Sequence, residues 1–488
     1  MNSTATTLSH YIAGEWTADS NSQLTNDVNP SDEQQVLARV PQGQHDEIRQ
    51  AVAAAHEAFP AWRAKTGTEK ANLMHRAANL LAEQRQDLGL IIALEVGKPI
   101  SEALQEVDRG AMILRYFAEE AVHPNGQVIP AQAAGALQFS MRQPLGPVAV
   151  ISPWNFPVAI PLWKIAPALA YGNTVMWKPA EVASLTAARL TEVFAGAQFP
   201  PGVLNLLLGR GSYVGNELIA HDAIRAVTFT GSNGVGMGIA ALASKRNIKY
   251  QLEMGGKNAA IVLQDAHLDQ AAKLVAAGAM RYAGQKCTAT SRVIVVDAVM
   301  EDFVQRLKTE IAALPVAPAQ DSHSAVGPLI TRNALEKVSS YMKIGETSGQ
   351  IVLGGKFPTD QLLQRGYFFE PTVITDVAPD ARIAQEEIFG PVLVVHRASS
   401  IEDAINIANS TPFGLSVSLF TRNIDAMLNY VQHIECGMVR VNADTTGVDP
   451  HAPFGGMKSS SSHSREQGTA AIEFFTEMKT VQINPAGV

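Results

Sequence analysis

Between residues 45 and 121, apolar positions recur at spacings of three and four, with Glu, Arg and Gln on the other faces. This pattern predicts helices over 45–64 and 68–121, the second broken at Pro99 after Gly97-Lys98. From Pro147 the period shortens. Runs rich in Val, Leu, Ile and Thr at 148–151, 173–177, 203–208, 226–230 and 259–263 read as strands, with helix-length segments at 184–197 and 216–221. A second series follows at 292–296, 351–353, 372–375, 392–395, 416–420 and 438–441, interleaved with helical patterns at 300–312, 332–347 and 401–409. Strand and helix in alternation predict an α/β fold with two parallel-sheet units joined by crossover helices. The stretch 474–483 alternates loosely and reads as a lone strand in need of a sheet edge. No internal repeat is present, and the serine patch 459–462 reads as a polar loop.

Composition narrows the classes. A chain of 488 residues is too long for one simple core. It is 46% hydrophobic and 17% charged, as an ordinary globular protein is. A net charge of −8 without a Lys/Arg block argues against nucleic acid or an anionic membrane surface as partner. The apolar segment 160–176 is interrupted by Lys164 and Gly172, which leaves no span for a bilayer. The first 16 residues carry Ser and Thr where a signal peptide needs an apolar core. Two cysteines cannot build a disulfide framework, and a soluble protein of the reducing cytoplasm is expected. No CxxC or HExxH spacing suggests a metal site, and no GxSxG turn suggests a serine hydrolase.

The candidate chemistry lies in the loops. Cys287 stands between Lys286 and Thr288, three residues after Gly284, among polar neighbours rather than the apolar ones a packed thiol prefers. Glycine-rich turns begin at Gly209 and Gly231 after predicted strands, as backbone cradles for phosphate do. Neither has the dinucleotide fingerprint spacing, and such turns are commoner than nucleotide sites. Asn155 follows the strand 148–151, Glu253 precedes Gly255-Gly256, and Glu386-Glu387 precede another turn. Alone, each polar residue reads as a cap or a solvated side chain. Together they place a thiol, an amide, carboxylates and glycine turns at strand ends, where open α/β sheets bind ligands.

These segments carry a resemblance. PWNFP (153–157), WKPAE (177–181), FTGS (229–232), LEMGGKN (252–258), GQKC (284–287), EEIFGPV (386–392) and PFGGMKSS (453–460) resemble the aldehyde dehydrogenase superfamily, in its order and spacing, over essentially the whole chain. The resemblance implies that Cys287 is the nucleophile that forms a thiohemiacetal and then a thioester. The Asn155 amide and the Cys287 backbone N–H would hold the oxyanion. Glu253 would be the general base toward Cys287 or the hydrolytic water. It also implies a nicotinamide dinucleotide, NAD by preference with NADP possible. Lys178 would reach the adenosine ribose, Gly211, Gly231 and Ser232 would form the phosphate-side turns, and Glu387 would bond the nicotinamide ribose. Phe389 would pack near the nicotinamide and Trp154 would border the cleft. Glu181 would accept from the ribose hydroxyls and repel a 2′-phosphate.

For the substrate, Arg281 lies six residues before Cys287, where the semialdehyde enzymes carry an arginine for a carboxylate. The alternative is a surface arginine in a salt bridge. Trp163 stands where the succinate semialdehyde enzymes have a second arginine, which puts that substrate in doubt. The longer pattern most resembles the α-ketoglutarate semialdehyde (2,5-dioxopentanoate) dehydrogenases. Another semialdehyde, betaine aldehyde or an aliphatic aldehyde is the alternative, and a non-catalytic relative is the alternative of a different class. The resemblance implies a dinucleotide-binding domain of residues 1–122 and 142–253 and a catalytic domain of 254–449. It also implies a bridging oligomerisation sheet from 123–141 and 471–488, and a connection over 450–470. A homodimer or homotetramer is expected, since an exposed edge strand must be covered.

Overall fold

The computed structural model describes residues 5–17, 23–123 and 126–486. Residues 1–4 and 18–22, and residues 124–125 and 487–488 of the expected oligomerisation segment, lie outside the described residues.

Two seven-stranded sheets dominate the chain. The first runs Lys249–Glu253, Ala226–Thr230, Pro147–Ile151, Thr174–Lys178, Leu204–Leu206, His10–Ile12 and Glu15–Thr17. Its first five strands are parallel and the last two are antiparallel additions. Alternate residues enter opposite cores: Val148 and Val150 pack with the helices Gly67–Glu83 and Ile100–Glu120, while Ala149 packs on the side of His45–Ala64. A sheet buried on both faces needs apolar residues at every position, so these strands read as continuous runs. Chain order advances from Pro147–Ile151 to one side and returns at Ala226–Thr230 on the other. The crevice beyond the carboxyl ends of those two strands is the topological switch point, where such sheets bind ligands.

The second sheet runs Gln350–Leu353, Thr372–Thr375, Val392–Ala398, Arg292–Val296, Ala259–Val262, Ser416–Phe420 and Met438–Val441, parallel except for the first strand. Val293 and Val295 pack on one face, Ile294 and Val296 on the other.

Several expectations need correction. The helical stretch 68–121 is three helices, with a break at Gln84 besides that at Pro99. As expected for the segments 123–141 and 471–488, the C-terminal strand Thr476–Ile483 joins a sheet within its own chain. It pairs antiparallel with Leu137–Pro144 through eight residue pairs, and Leu137–Pro144 also pairs with Val128–Ile129. This sheet continues past residue 141 to Pro144, so the expected boundary at 142 falls inside one of its strands. Thr476–Ile483 remains an edge of this sheet, with Met478 and Ile483 exposed.

Candidate active site

Cys287 lies in the loop before the strand Arg292–Val296, at the amino edge of the second sheet rather than at a strand's carboxyl end. That loop is held in an unusual shape. Tyr282, Ala283 and Gly284 all have positive φ, at 58°, 52° and 67°. Two non-glycine residues in succession in the left-handed region cost conformational energy, which the surrounding packing must hold. Tyr282 is buried and its hydroxyl donates to the Val96 carbonyl at 3.2 Å. Gln285 donates to the carbonyls of Tyr282 and Pro328 and accepts from Ile330 N–H at 2.9 Å. On the other side Asn258 Nδ2 donates to the carbonyls of Cys287 and Ala289 at 2.8 and 2.9 Å, so the loop is held on both sides of the thiol.

Two cavities meet at this sulfur. One, of about 300 Å³, is walled by Phe156, Trp163, Arg281, Cys287 and Phe454. The other, of about 340 Å³, lies at the switch point of the first sheet and is walled by Trp154, Asn155, Gly231, Ser232, Cys287, Glu387 and Phe389 among others. Thus Arg281 and Trp163 share one chamber with the thiol, and most of the expected cofactor residues share the other. Arg281 is exposed at the chamber wall and, among the described residues, forms no ion pair; Glu102 beside it pairs with Lys286 at 2.7 Å. Trp163 stacks on Phe454 with ring centroids 5.4 Å apart.

Asn155 is buried, and its Nδ2 donates to the Gln285 carbonyl at 3.1 Å. One amide hydrogen ties it to the cysteine loop and the other remains for an oxyanion. Burial pushes the Cys287 thiol up to about 12, with the carboxylates of Glu253 and Glu387 adding to the shift. The N–H groups of Thr288 and Cys287 act the other way. The resting sulfur is therefore a thiol, which needs a base before it can attack.

Glu253 ends the strand Lys249–Glu253 and lines neither cavity. Its Oε2 accepts from Ser461 Oγ at 2.6 Å, while Oε1 is buried without a hydrogen-bond partner. Burial first, then the Glu466 carboxylate, holds its pKa well above the ordinary range. Glu466 pairs with the fully buried Lys164, whose ammonium also donates to Thr228 Oγ1 at 3.0 Å. The serine patch expected to be a plain polar loop thus anchors the candidate base. Lys164 and Glu466 escaped the sequence reading; the signal was a lysine inside an otherwise apolar segment.

The double glycine after Glu253 serves another carboxylate. Gly256 N–H donates to Glu387 Oε1 at 3.0 Å, and a Cβ on Gly255 would collide with the Glu387 carboxylate. Burial raises the Glu387 pKa, opposed by this N–H bond and by Lys337. Phe389, with φ of 61°, meets Trp154 edge-on at 5.7 Å.

Lys178, Glu181 and Gly211 do not wall the cleft with the others. Lys178 is buried and donates to the Pro179 carbonyl at 2.6 Å; burial lowers it to about 8, against the pull of Glu181. A Cβ on Gly211 would stand 3.6 Å from Lys178 Nζ, so these two form a second, neighbouring group.

A nicotinamide dinucleotide fits these residues. Ser232 occupies the cap position of the helix Asn233–Lys245, yet its hydroxyl makes no capping bond to that helix. A Cβ on Gly234 would meet nothing within 4 Å, so the first turn is open to an approaching group. The Glu387 carboxylate is held where it can accept from hydroxyls, and among the described residues Lys178 bonds only a neighbouring carbonyl.

Known proteins resemble this chain over nearly its whole length. A profile described as the aldehyde dehydrogenase family matches residues 16–481. The α-ketoglutaric semialdehyde dehydrogenase of Bacillus subtilis (strain 168) is 45% identical over 477 residues, covering 98% of both chains. The crystal structure of betaine aldehyde dehydrogenase from Staphylococcus aureus in complex with NAD⁺ superposes with a TM-score of 0.95 at 32% identity, over 98% of this chain and 95% of that one. A crystal structure described as an E. coli NADP dependent enzyme also gives 0.95, at 35% identity and 98% coverage of both chains. With its match spanning both sheets and the loop that carries Cys287, this chain belongs to the aldehyde dehydrogenase family.

Proposed function

We propose that this protein oxidises α-ketoglutarate semialdehyde (2,5-dioxopentanoate) to 2-oxoglutarate through a thioester on Cys287, with NAD⁺ preferred over NADP⁺. The observation that carries the reading is the position of Cys287 on the wall shared by two cavities, one with Arg281 beside it and the other lined by the residues suited to a dinucleotide. The 45% identical relative named for this substrate supports it.

The chain's residues divide the work. The Cys287 thiol loses its proton to solvent water, the sulfur attacks the aldehyde carbon, and the oxyanion accepts from Asn155 Nδ2 and the Cys287 backbone N–H. When bound, the dinucleotide supplies the hydride acceptor. Loss of hydride leaves the acyl group on sulfur, and Glu253 takes the proton of the water that cleaves it. For this Glu253 must swing from its bond to Ser461 toward the cavities, because its resting carboxylate reaches neither. Arg281 holds the acid end of the substrate by charge. Lys178, Glu181 and Gly211 receive the adenosine side, and Glu181 disfavours a 2′-phosphate. Residues up to 122 and 145–253 carry the dinucleotide and 254–449 the thiol. The strand Thr476–Ile483 lies at a sheet edge with exposed Met478 and Ile483, which supports a homodimer or a dimer of dimers. Two free cysteines, one of them the nucleophile, suit a reducing cytoplasm. Among the described residues no helix is long and apolar enough to cross a membrane.

A substrate panel followed by NADH absorbance tests the reading: 2,5-dioxopentanoate, succinate and glutarate semialdehydes, betaine aldehyde and pentanal. The highest kcat/KM is expected with 2,5-dioxopentanoate; equal turnover of pentanal overturns the substrate. A strong preference for NADP⁺ in the same assay overturns the cofactor.

A further inference from the structure

The chamber that holds Arg281 contains a second arginine. Arg109 stands on the helix Ile100–Glu120, whose residues Glu102, Gln105, Glu106 and Arg109 form one stripe along the chamber wall. Trp163 fills the place of the arginine missing from the succinate-type pattern, so a cation arriving from this helix approaches the same space from a different side.

The acids around the chamber are already engaged. Glu102 pairs with Lys286 at 2.7 Å. Glu106 bonds Lys98 through one oxygen and accepts from the N–H groups of Val158 and Ala159 at 2.8 and 3.0 Å through the other. Asp444 Oδ1 accepts from Thr446 N–H at 3.0 Å and Oγ1 at 3.1 Å. Arg109 is the contrast. It is half-buried, has no ion-pair partner among the described residues, and uses its Nη1 on the Val448 carbonyl at 2.5 Å. Burial disfavours its charge, and the attraction of Glu106 and Asp449 comes from outside contact distance. A guanidinium carries five donors in a flat fork; one is used on this carbonyl, and no Arg109 nitrogen is among the buried atoms lacking a partner, so the others are open to the chamber. Desolvating such a cation costs free energy unless an anion completes it.

Resting on the semialdehyde reading above, we propose that Arg109 is a specificity-determining residue: its guanidinium and that of Arg281 together receive the 2-oxo acid end of the substrate. That end presents carboxylate and ketone oxygens in one plane, which suits a planar fork donating parallel N–H bonds. The five-carbon chain then runs from Cys287 to the two arginines. An aldehyde with an uncharged end leaves Arg109 uncompensated, and selection arises from that difference.

The test compares wild type with Arg109→Gln and Arg109→Lys, using 2,5-dioxopentanoate, glutarate semialdehyde and pentanal, with thermal melting as a control of folding. For Arg109→Gln the ratio of kcat/KM for 2,5-dioxopentanoate to that for pentanal falls about 10- to 100-fold, mostly through KM. Arg109→Lys keeps the charge without the fork and falls less on glutarate semialdehyde than on 2,5-dioxopentanoate; it carries the test if the Gln variant does not fold. An unchanged ratio, or equal losses on all three aldehydes, overturns the role of Arg109. A wild type that already treats pentanal and 2,5-dioxopentanoate alike overturns the substrate reading itself, and the proposal with it. The two failures are thus told apart by the wild-type ratio.

Discussion

Ser461 Oγ donates to Glu253 Oε2 at 2.6 Å and at the same time accepts from Gly456 N–H at 2.6 Å. This hydroxyl joins the loop after the PFGG turn to the candidate base, and its bond favours the carboxylate form against burial and the nearby Glu466. Glu253 acts as a carboxylate, and its pKa lies well above the ordinary range. The rate of thioester hydrolysis should therefore rise with pH above the range of a normal glutamate. Ser461→Ala removes a bond that stabilises the resting carboxylate away from the cavities, so this rising limb moves to higher pH and the plateau rate above it increases about 3- to 10-fold. Single-turnover rates across a pH series measure it; a limb that stays in place removes Ser461 from the account.

Lys164 and Glu466 form a fully buried pair behind that base. Removing one partner leaves an uncompensated charge in the core. Lys164→Met should destabilise the protein by about 3–5 kcal/mol. A thermal or denaturant midpoint equal to that of wild type would mean that the pair contributes little to folding.

The approach of Glu387 to Gly255 makes a separate prediction. A methyl group on Gly255 occupies the space of the carboxylate, so Gly255→Ala must displace Glu387 from its bond to Gly256 N–H. The dinucleotide KM should rise about tenfold while the aldehyde KM changes less, since Arg281 and Trp163 stand in the other chamber. Initial-rate kinetics with each ligand varied decide this, and an equal rise in both would contradict it.

Asn155 is held to the cysteine loop by one amide hydrogen. Asn155→Ala should lower kcat by about 10²–10³-fold, as loss of an oxyanion donor does, with little change in aldehyde KM. Steady-state kinetics on the variant give the answer; a fall in KM affinity alone would assign Asn155 to binding.

Much of the architecture was legible because strands buried on both faces read as unbroken apolar runs. Ala226–Thr230, Arg292–Val296 and Ser416–Phe420 appear in the structure with the bounds their runs predict. Lys249–Glu253 was missed, since its sequence KYQLE mixes charge into the last strand of its sheet. The short strands Glu15–Thr17 and Leu24–Val28 carry polar residues and were missed for the same reason. Pairing of Leu137–Pro144 with Thr476–Ile483 joins segments more than three hundred residues apart, which no local pattern announces. The site followed the same rule. Cys287, Asn155, Glu387 and Phe389 lie in motifs that a resemblance exposes, whereas Arg109, Ser461 and the Lys164–Glu466 pair acquire meaning only from neighbours brought by folding.

The central claim is that the acyl group is carried by Cys287, and trapping it is the direct measurement. Glu253→Gln can form the thioester but hydrolyses it slowly, so mixing this variant with NAD⁺ and 2,5-dioxopentanoate should produce a burst of NADH. Mass spectrometry of the digested protein should then find the acyl mass on the peptide containing Cys287 and none on that containing Cys436. A burst of NADH with the acyl group on another residue, or with no adduct at all, would contradict the account.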